Sequence, residues 1–312
     1  MDGNRRYAKR INVDRSIGHS KGFGKLAETL SWCRDLGIKQ ATVYAFSIEN
    51  FKRLPEEVNC LLDLFREQFT KLLEEFDKFI EYDVCVKFFG KLDLLPIDIQ
   101  KAMAKITLQT RFHKQFHFNV CISYTAREEI CRAISDISAI VNKNDQLASS
   151  DITDHLLTEA MYSSGLNDPD ILLRTSGEIR LSDFLLWQTS FSYIAFVDDL
   201  WPDLSIWSFF KVIVQYQLES SNLKRKRQQY QKWLDEQEYS HAKNLFLEQN
   251  LYKRFEDFLI ERKRKRNTTI EAILELRLNF HKSLSIEEGD DNNKFSETFL
   301  PKQQQGKIEA SI

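Results

Sequence analysis

ATVYAFSIENFKRLPEEVNCLLDLFREQFTKLLEEF, residues 41–76, decides the fold class. It opens on a short apolar block, ATVYAF, with the composition of a strand buried on both faces. Polar groups follow at once: Ser47, Glu49, Asn50 and Arg53. The rest has Pro and two acids in a first turn, then apolar residues at 58, 61, 62, 65, 69, 72, 73 and 76, the spacing of one long amphipathic helix. Strand, polar crest and helix make up the repeating unit of α/β folds, and in open sheets the crest at the C-terminal strand end is where ligands bind. On this segment alone, a plain connection with capping Ser and Asn explains the same residues equally well.

The same alternation extends in both directions. Leu26, Leu30 and Cys33 recur at helical spacing before Gly37, a C-terminal stop. Further strands are expected at 84–89, 116–122, 170–174 and 193–197, with helices between most of them. The expected fold is α/β, a mainly parallel central sheet flanked by helices. No Gly lies between Gly177 and Gly289 and no Pro between Pro202 and Pro301, so long helices run unobstructed there. One carries a stripe at Leu251, Phe255, Phe258 and Leu259, and Thr268 with Glu271 fits a capping box for another. The expectation is a C-terminal helical hairpin. From about Ser285 the acidic, Asn/Gln-rich tail is too poor in apolar residues to fold alone.

The 312 residues suffice for a sizeable core. Lys+Arg at 44 against Asp+Glu at 46 leaves a net charge of -2, which argues against a nucleic-acid partner and makes any phosphate binding local. The five cysteines form no C-x-x-C pair and read as small apolar residues in a reducing compartment. No apolar run is long enough to span a bilayer and no signal-peptide core is present.

Four polar clusters remain. In MDGNRRYAK, Asp2 suits a hard cation such as Mg²⁺, Gly3 permits close backbone approach, and Arg5 and Arg6 offer rigid forks for phosphate oxygens; an accidental charged terminus is the bland alternative. RSIGHSKGFGKLAETL places Arg15, His19 and Lys21 just ahead of an expected helix start, where an anion is favoured. It is not a P-loop: Gly18 to Gly24 is one residue too long, and Leu26 stands where a metal-ligating hydroxyl belongs. His19 taken alone reads as structural. DILLRTSGEIRLSDFLLWQ gathers Arg174, Thr175, Ser176, Glu178, Arg180 and Ser182 around a tight Gly turn, a second diphosphate cradle. DDLWPD (198–203) has the wrong spacing for a paired-aspartate metal motif and reads as a structural turn. The basic clusters 224–227 and 262–266 read as solvated helix faces.

Taken in order, MDGNRRYAK, RSIGH, YAFSIENFKR, RTSGEIRLSDFLLWQ and DLWPD resemble the cis-prenyltransferases, the undecaprenyl-diphosphate-synthase-like family, and within it the animal branch that makes dehydrodolichyl diphosphate. The resemblance covers residues 1–218, with a similar helical extension at 219–284 and a tail at 285–312. It implies a Mg²⁺-dependent enzyme that adds isopentenyl diphosphate units to farnesyl diphosphate, giving a long polyprenyl diphosphate for dolichol and protein glycosylation. It implies that Asp2 is catalytic and binds the metal. Gly3, Asn4, Arg5, Arg6, Arg15, His19, Ser47 and Arg53 would hold the allylic diphosphate, and Arg174, Arg180 and Ser182 that of isopentenyl diphosphate. Asn50 is implied in the final proton removal, although a neutral amide is a poor base and a phosphate oxygen a better one. The apolar face of helix 54–76 would wall a tunnel for the growing chain, if it is not simply core.

The chain departs from the family pattern at three places. It has no R-x-G element, and Tyr193 stands where homodimeric members carry a metal-binding Glu. Both departures resemble the heteromeric branch, implying an accessory subunit of the Nogo-B-receptor type that supplies the R-x-G tail, low activity alone, and peripheral contact with the cytoplasmic face of the endoplasmic reticulum membrane. Family members also lead into MDGNRR through a first β-strand, which is expected to be missing here, at a cost in stability and activity. The competing readings are a non-catalytic scaffold subunit of the same complex, an inactive truncated isoform, or an RNA-binding protein using the basic helices.

Overall fold

The computed structural model describes residues 1–144, 147–248 and 254–286. Strands β1 (Gln40–Ser47), β2 (Val84–Phe89) and β3 (Phe116–Tyr124) form a parallel sheet in the order β1-β3-β2. β3 is central and its residues from Phe118 to Tyr124 are buried, as a doubly flanked parallel strand requires. β4 (Ile171–Arg174) and β5 (Tyr193–Phe196) pair in parallel as a second sheet. Every ladder is parallel as expected, but the five strands fall into two sheets and not one. The reason lies at two edges: among the described residues β1 pairs only with β3, and β4 only with β5. Both strands line one cavity of about 1510 Å³ over their full lengths.

Helices α1 (Asn4–Arg10) and α2 (Arg15–Asp35) open the chain, and α3 (Pro55–Glu74) and α4 (Phe76–Glu81) follow β1 through a 3₁₀ turn at Ile48–Lys52. α2 begins at Arg15, so His19 and Lys21 lie inside the helix and not ahead of it. Two glycines of this stretch serve packing. A Cβ on Gly18 would lie 2.5 Å from the Asn4 carbonyl oxygen, and one on Gly22 would strike the Asn4 side chain, so their absence lets α1 settle on α2.

α3 was expected to wall a tunnel, yet its apolar face is core. Val58, Leu61, Leu62, Phe65 and Phe69 are buried with Phe46, Val86 and Phe88, and Phe69 meets the Phe88 ring edge-on at 5.3 Å. At roughly 1.5–3 kcal/mol per buried large side chain, this face is a main anchor of α3. Of these five, only Leu61 borders the cavity.

α5 (Ile97–Thr110), α6 (Ala126–Asn144) and α7 (Asp154–Glu159) complete the layers before α8 (Ile206–Glu248) and α9 (Phe255–Ile286). α8 runs unbroken through residues 218 and 219, where a boundary was expected. The capping box at Thr268 does not form, because α9 continues through it and the Thr269 hydroxyl donates to the Lys265 carbonyl at 3.0 Å. α9 packs on α5, α6 and α7, burying Ile273 in a core cluster with Ala133, Ile137 and Leu156. The cluster 262–266 is therefore not a solvated face throughout. Arg262 is buried, bonding the Ser150 carbonyl at 2.6 Å and Asp151 at 3.0 Å, while Arg266 pairs with Glu238. Phe258 of the expected stripe is buried; Leu251 and the tail beyond Ile286 lie outside the described residues.

Candidate active site

Asp2 is fixed by its backbone before its side chain is considered. Its amide donates to the Thr175 hydroxyl at 3.2 Å, that hydroxyl lies 3.0 Å from the Asp2 carbonyl, and the Trp201 amide donates to the same carbonyl at 2.9 Å. Gly3 follows with φ 107°, and a Cβ there would lie 3.0 Å from Leu200. Glycine's freedom thus turns the chain sharply from Asp2 into α1. The carboxylate accepts the Gly3 amide at 2.7 Å on Oδ1 and the Arg174 guanidinium at 2.9 Å on Oδ2. Burial alone would raise its pKa, but the Arg174 hydrogen bond and charge, with the Gly3 N–H, outweigh it and hold Asp2 below the usual carboxylate range.

The turn after β4 joins this cluster. Arg174 also donates to the Ser182 hydroxyl at 2.7 Å and to the Arg180 carbonyl, so one guanidinium ties Asp2 to the far side of the loop. Arg6 donates to the Ser176 hydroxyl at 2.6 Å and lies 3.3 Å from Glu178, which pairs with Arg180 at 2.9 Å through its other oxygen. Ser176 (φ 75°) and Gly177 (φ 67°) are both left-handed, and their amides are taken by the Asp199 and Val197 carbonyls. A non-glycine residue held in that region marks stored strain, common at ligand sites.

A second arginine group forms at the end of β1. Arg5, Arg15 and Arg53 reach Glu57 at 3.4, 3.3 and 2.8 Å. His19 lies nearby, its pKa lowered by burial first and by the Arg53 and Arg5 charges, against the pull of Glu57. Its Nε2, like Asn4 Oδ1, is buried with no hydrogen-bond partner among the described residues. Asn4 Oδ1 is turned into the α1–α2 contact at Gly22, whereas the orphaned His19 nitrogen beside Arg5 and Arg53 suits a bound polar ligand. Ser47 and Asn50 cap each other: the Ser47 hydroxyl accepts the Glu49 amide at 3.2 Å, and Asn50 Oδ1 accepts the Ser47 amide at 3.0 Å. Both therefore do the capping work the sequence left open.

Of the site residues that the family resemblance implies, all but Arg15 line the same cavity, whose walls also include Leu26, Leu30, Leu61 and Val212; Lys21 and Ser176 of the polar clusters do not line it. Arg15 is tied to it through Glu57, which also holds the cavity-lining Arg5 and Arg53. Sequence reasoning named Glu178, which bridges Arg6 and Arg180, but missed Glu57, on which Arg5, Arg15 and Arg53 converge; the i, i+4 spacing of Arg53 and Glu57 was the available signal. The DDLWPD segment is structural as expected. Trp201 is buried, its indole N–H bonding the Gly22 carbonyl at 2.7 Å, and Asp203 pairs with Arg10. Among the described residues no three His, Cys, Asp or Glu side chains converge as a metal cage. A lone carboxylate such as Asp2 fits a hard cation only where substrate phosphates and water supply the remaining ligands.

Several known proteins are similar to this chain. The chain is 49% identical over 230 residues to the dehydrodolichyl diphosphate synthase complex subunit DHDDS of Homo sapiens, covering 74% of this chain and 69% of the human one. It is 40% identical over 216 residues to a geranylgeranyl-diphosphate-specific tritrans,polycis-undecaprenyl-diphosphate synthase of Picrophilus torridus, covering 69% of this chain and 84% of that one. Lavandulyl diphosphate synthase from Lavandula x intermedia, solved in complex with dimethylallyl diphosphate, superposes with a TM-score of 0.65 at 29% identity, covering 69% of this chain and 92% of that one. Residues 1–225 match the family model described as putative undecaprenyl diphosphate synthase, and the chain belongs to that prenyltransferase family.

Proposed function

We propose that this chain condenses isopentenyl diphosphate units onto farnesyl diphosphate in cis configuration, forming a dehydrodolichyl diphosphate destined for dolichol and protein glycosylation. The observation that carries the reading is Asp2, held between the Gly3 amide and Arg174 in one cavity with two arginine groups. Two diphosphates need two cationic cradles, and a scaffold subunit has no use for either.

Arg5, Arg6, Arg15, Arg53 and His19 hold the allylic diphosphate, and Arg174, Arg180 and Ser182 hold that of isopentenyl diphosphate. The allylic C–O bond breaks with its electron pair leaving on the diphosphate, and fixed guanidiniums stabilise the charge as it develops. The terminal alkene carbon of isopentenyl diphosphate forms the new C–C bond, leaving positive charge on the internal alkene carbon, and the methylene on that carbon's diphosphate side then loses a proton to form the new double bond. Asn50 is engaged with the Ser47 amide and orients the crest, so a diphosphate oxygen is the better proton acceptor. Asp2 and the two substrates' phosphates would hold Mg²⁺, which supplies positive charge to the leaving group when bound. The prenyl chain rests on the apolar lining from α2 and α8.

Three further parts of the reading stand with it. Residues 1–218 carry the chemistry, and the later helices buttress them. An accessory subunit of the Nogo-B-receptor type completes the site with its R-x-G tail; the human relative's designation as a complex subunit supports such a partner. The complex sits peripherally on the cytoplasmic face of the endoplasmic reticulum membrane, and no described helix is long and apolar enough to cross a bilayer. An added parallel strand leading into Met1 would occupy the space between β1 and β4, a reading supported by the two edges that border the cavity and have no partner among the described residues.

The test is incorporation of labelled isopentenyl diphosphate onto farnesyl diphosphate with Mg²⁺ by the chain co-expressed with its accessory subunit. Activity lost in Asp2→Ala supports the reading. Activity that survives Asp2→Ala, or equal turnover by the lone chain, overturns the corresponding part.

A further inference from the structure

Arg5 belongs to α1, Arg15 opens α2 and Arg53 precedes α3, yet all three guanidiniums turn onto Glu57. The Glu57 side chain is 9% exposed, whereas the three arginines are 52%, 63% and 28% exposed, so the carboxylate lies beneath a cationic layer. Arg53 Nη1 takes Oε1 at 2.8 Å, Arg15 takes Oε2 at 3.3 Å, and Arg5 Nη1 lies 3.4 Å from both oxygens. Arg5 and Arg53 line the cavity; Glu57 does not.

Three like charges gathered at one point repel, and long side chains left free spread into water. A carboxylate at the centre reverses both tendencies. One negative charge against three positive leaves +2, so the quartet still attracts an anion while its donors stay aimed. The acid is itself favoured where it sits, in the first turn of α3.

We infer that Glu57 is a positioning residue that prearranges Arg5, Arg15 and Arg53 as a ready-made cradle for the diphosphate of the allylic substrate. This deepens the proposed function and rests on it. Without Glu57, ligand binding must order three rotamer-rich side chains itself, which weakens affinity by roughly tenfold or more. The isopentenyl diphosphate cradle, built on Arg174, shares no contact with Glu57 and is spared.

The experiment is calorimetric titration of inorganic diphosphate, with and without Mg²⁺, into wild type, Glu57→Gln and Glu57→Ala, paired with steady-state kinetics of the complex. Both variants are expected to bind diphosphate more weakly, Ala more than Gln. KM for farnesyl diphosphate should rise about tenfold while KM for isopentenyl diphosphate and kcat stay within about threefold. Thermal melting identifies an Ala variant that fails to fold, and the near-isosteric Gln variant then decides. Unchanged or tighter binding in a folded variant overturns the inference alone and makes Glu57 a competitor for the arginines. A wild-type chain that does not bind diphosphate overturns the proposed function together with it.

Discussion

Arg174 Nη2 lies 2.9 Å from Asp2 Oδ2, joining the end of β4 to the second residue of the chain. The same guanidinium donates to Ser182 at 2.7 Å, which a lysine, with one point charge and no fork, does not reproduce. Arg174→Lys should lower incorporation of isopentenyl diphosphate by about 100-fold or more, with little change in melting temperature. Retained turnover in that variant would remove Arg174 from the machinery.

The approach of α1 to α2 makes the glycines of α2 unequal. Gly18→Ala sets a methyl 2.5 Å from a backbone oxygen of Asn4 and should cost about 1–3 kcal/mol, carrying activity with it because Asn4, Arg5 and Arg6 ride on α1. Gly24 has nothing within 4 Å of its would-be Cβ, so Gly24→Ala should stabilise the helix by about 0.5–1 kcal/mol. Chemical denaturation of the two variants side by side checks the contrast.

Protonation should destabilise the fold through His19. Burial and neighbouring arginines depress its folded-state pKa below the ordinary 6.5, so the unfolded chain binds the proton more readily. Its contribution is fully present above pH 6.5 and is lost as pH falls from 6.5 toward the lowered value. His117 and His281, also depressed by burial, add in the same direction. Asp2 acts in a lower window, its contribution present above its ordinary 3.8 and lost as pH falls below it. Below pH 6.5 the wild type should therefore lose melting temperature relative to His19→Gln as the pH falls; parallel curves for the two proteins would contradict it.

Two strand edges that have no partner among the described residues, on one cavity, should accept a strand between them. An eight-residue Val/Ile-rich extension upstream of Met1 should raise the melting temperature by several degrees, whereas a Gly/Ser extension of equal length should not. Equal effects of the two extensions would show that the edges do not take up a strand.

Arg262 and Asp151 form an ion pair 3.0 Å apart with both side chains 6% exposed. Removing one partner of a buried pair leaves the other uncompensated, so Arg262→Ala should cost about 3–5 kcal/mol by urea unfolding. A cost below about 1 kcal/mol would mean that α9 adds little to the fold.

Much of this protein is legible in its sequence because local physics suffices to write it. Buried strands, the first turn of α3 and the freedom of α8 and α9 from Gly and Pro depend on neighbours a few residues away, and the elements form at the expected places. The polar crests after β1 and β4 were legible too, since a strand end dictates where its side chains emerge. Only the tertiary structure decided what those side chains meet. His19 and Lys21 read as lying ahead of a helix start until α2 was seen to begin at Arg15, and the 262–266 cluster read as solvated until α9 folded back onto Asp151. Glu57 gained its meaning when arginines from three distant elements converged on it. Contacts between residues 50 or 170 positions apart leave no period or spacing in the chain, because they are fixed by how whole elements pack, and that is where the site is made.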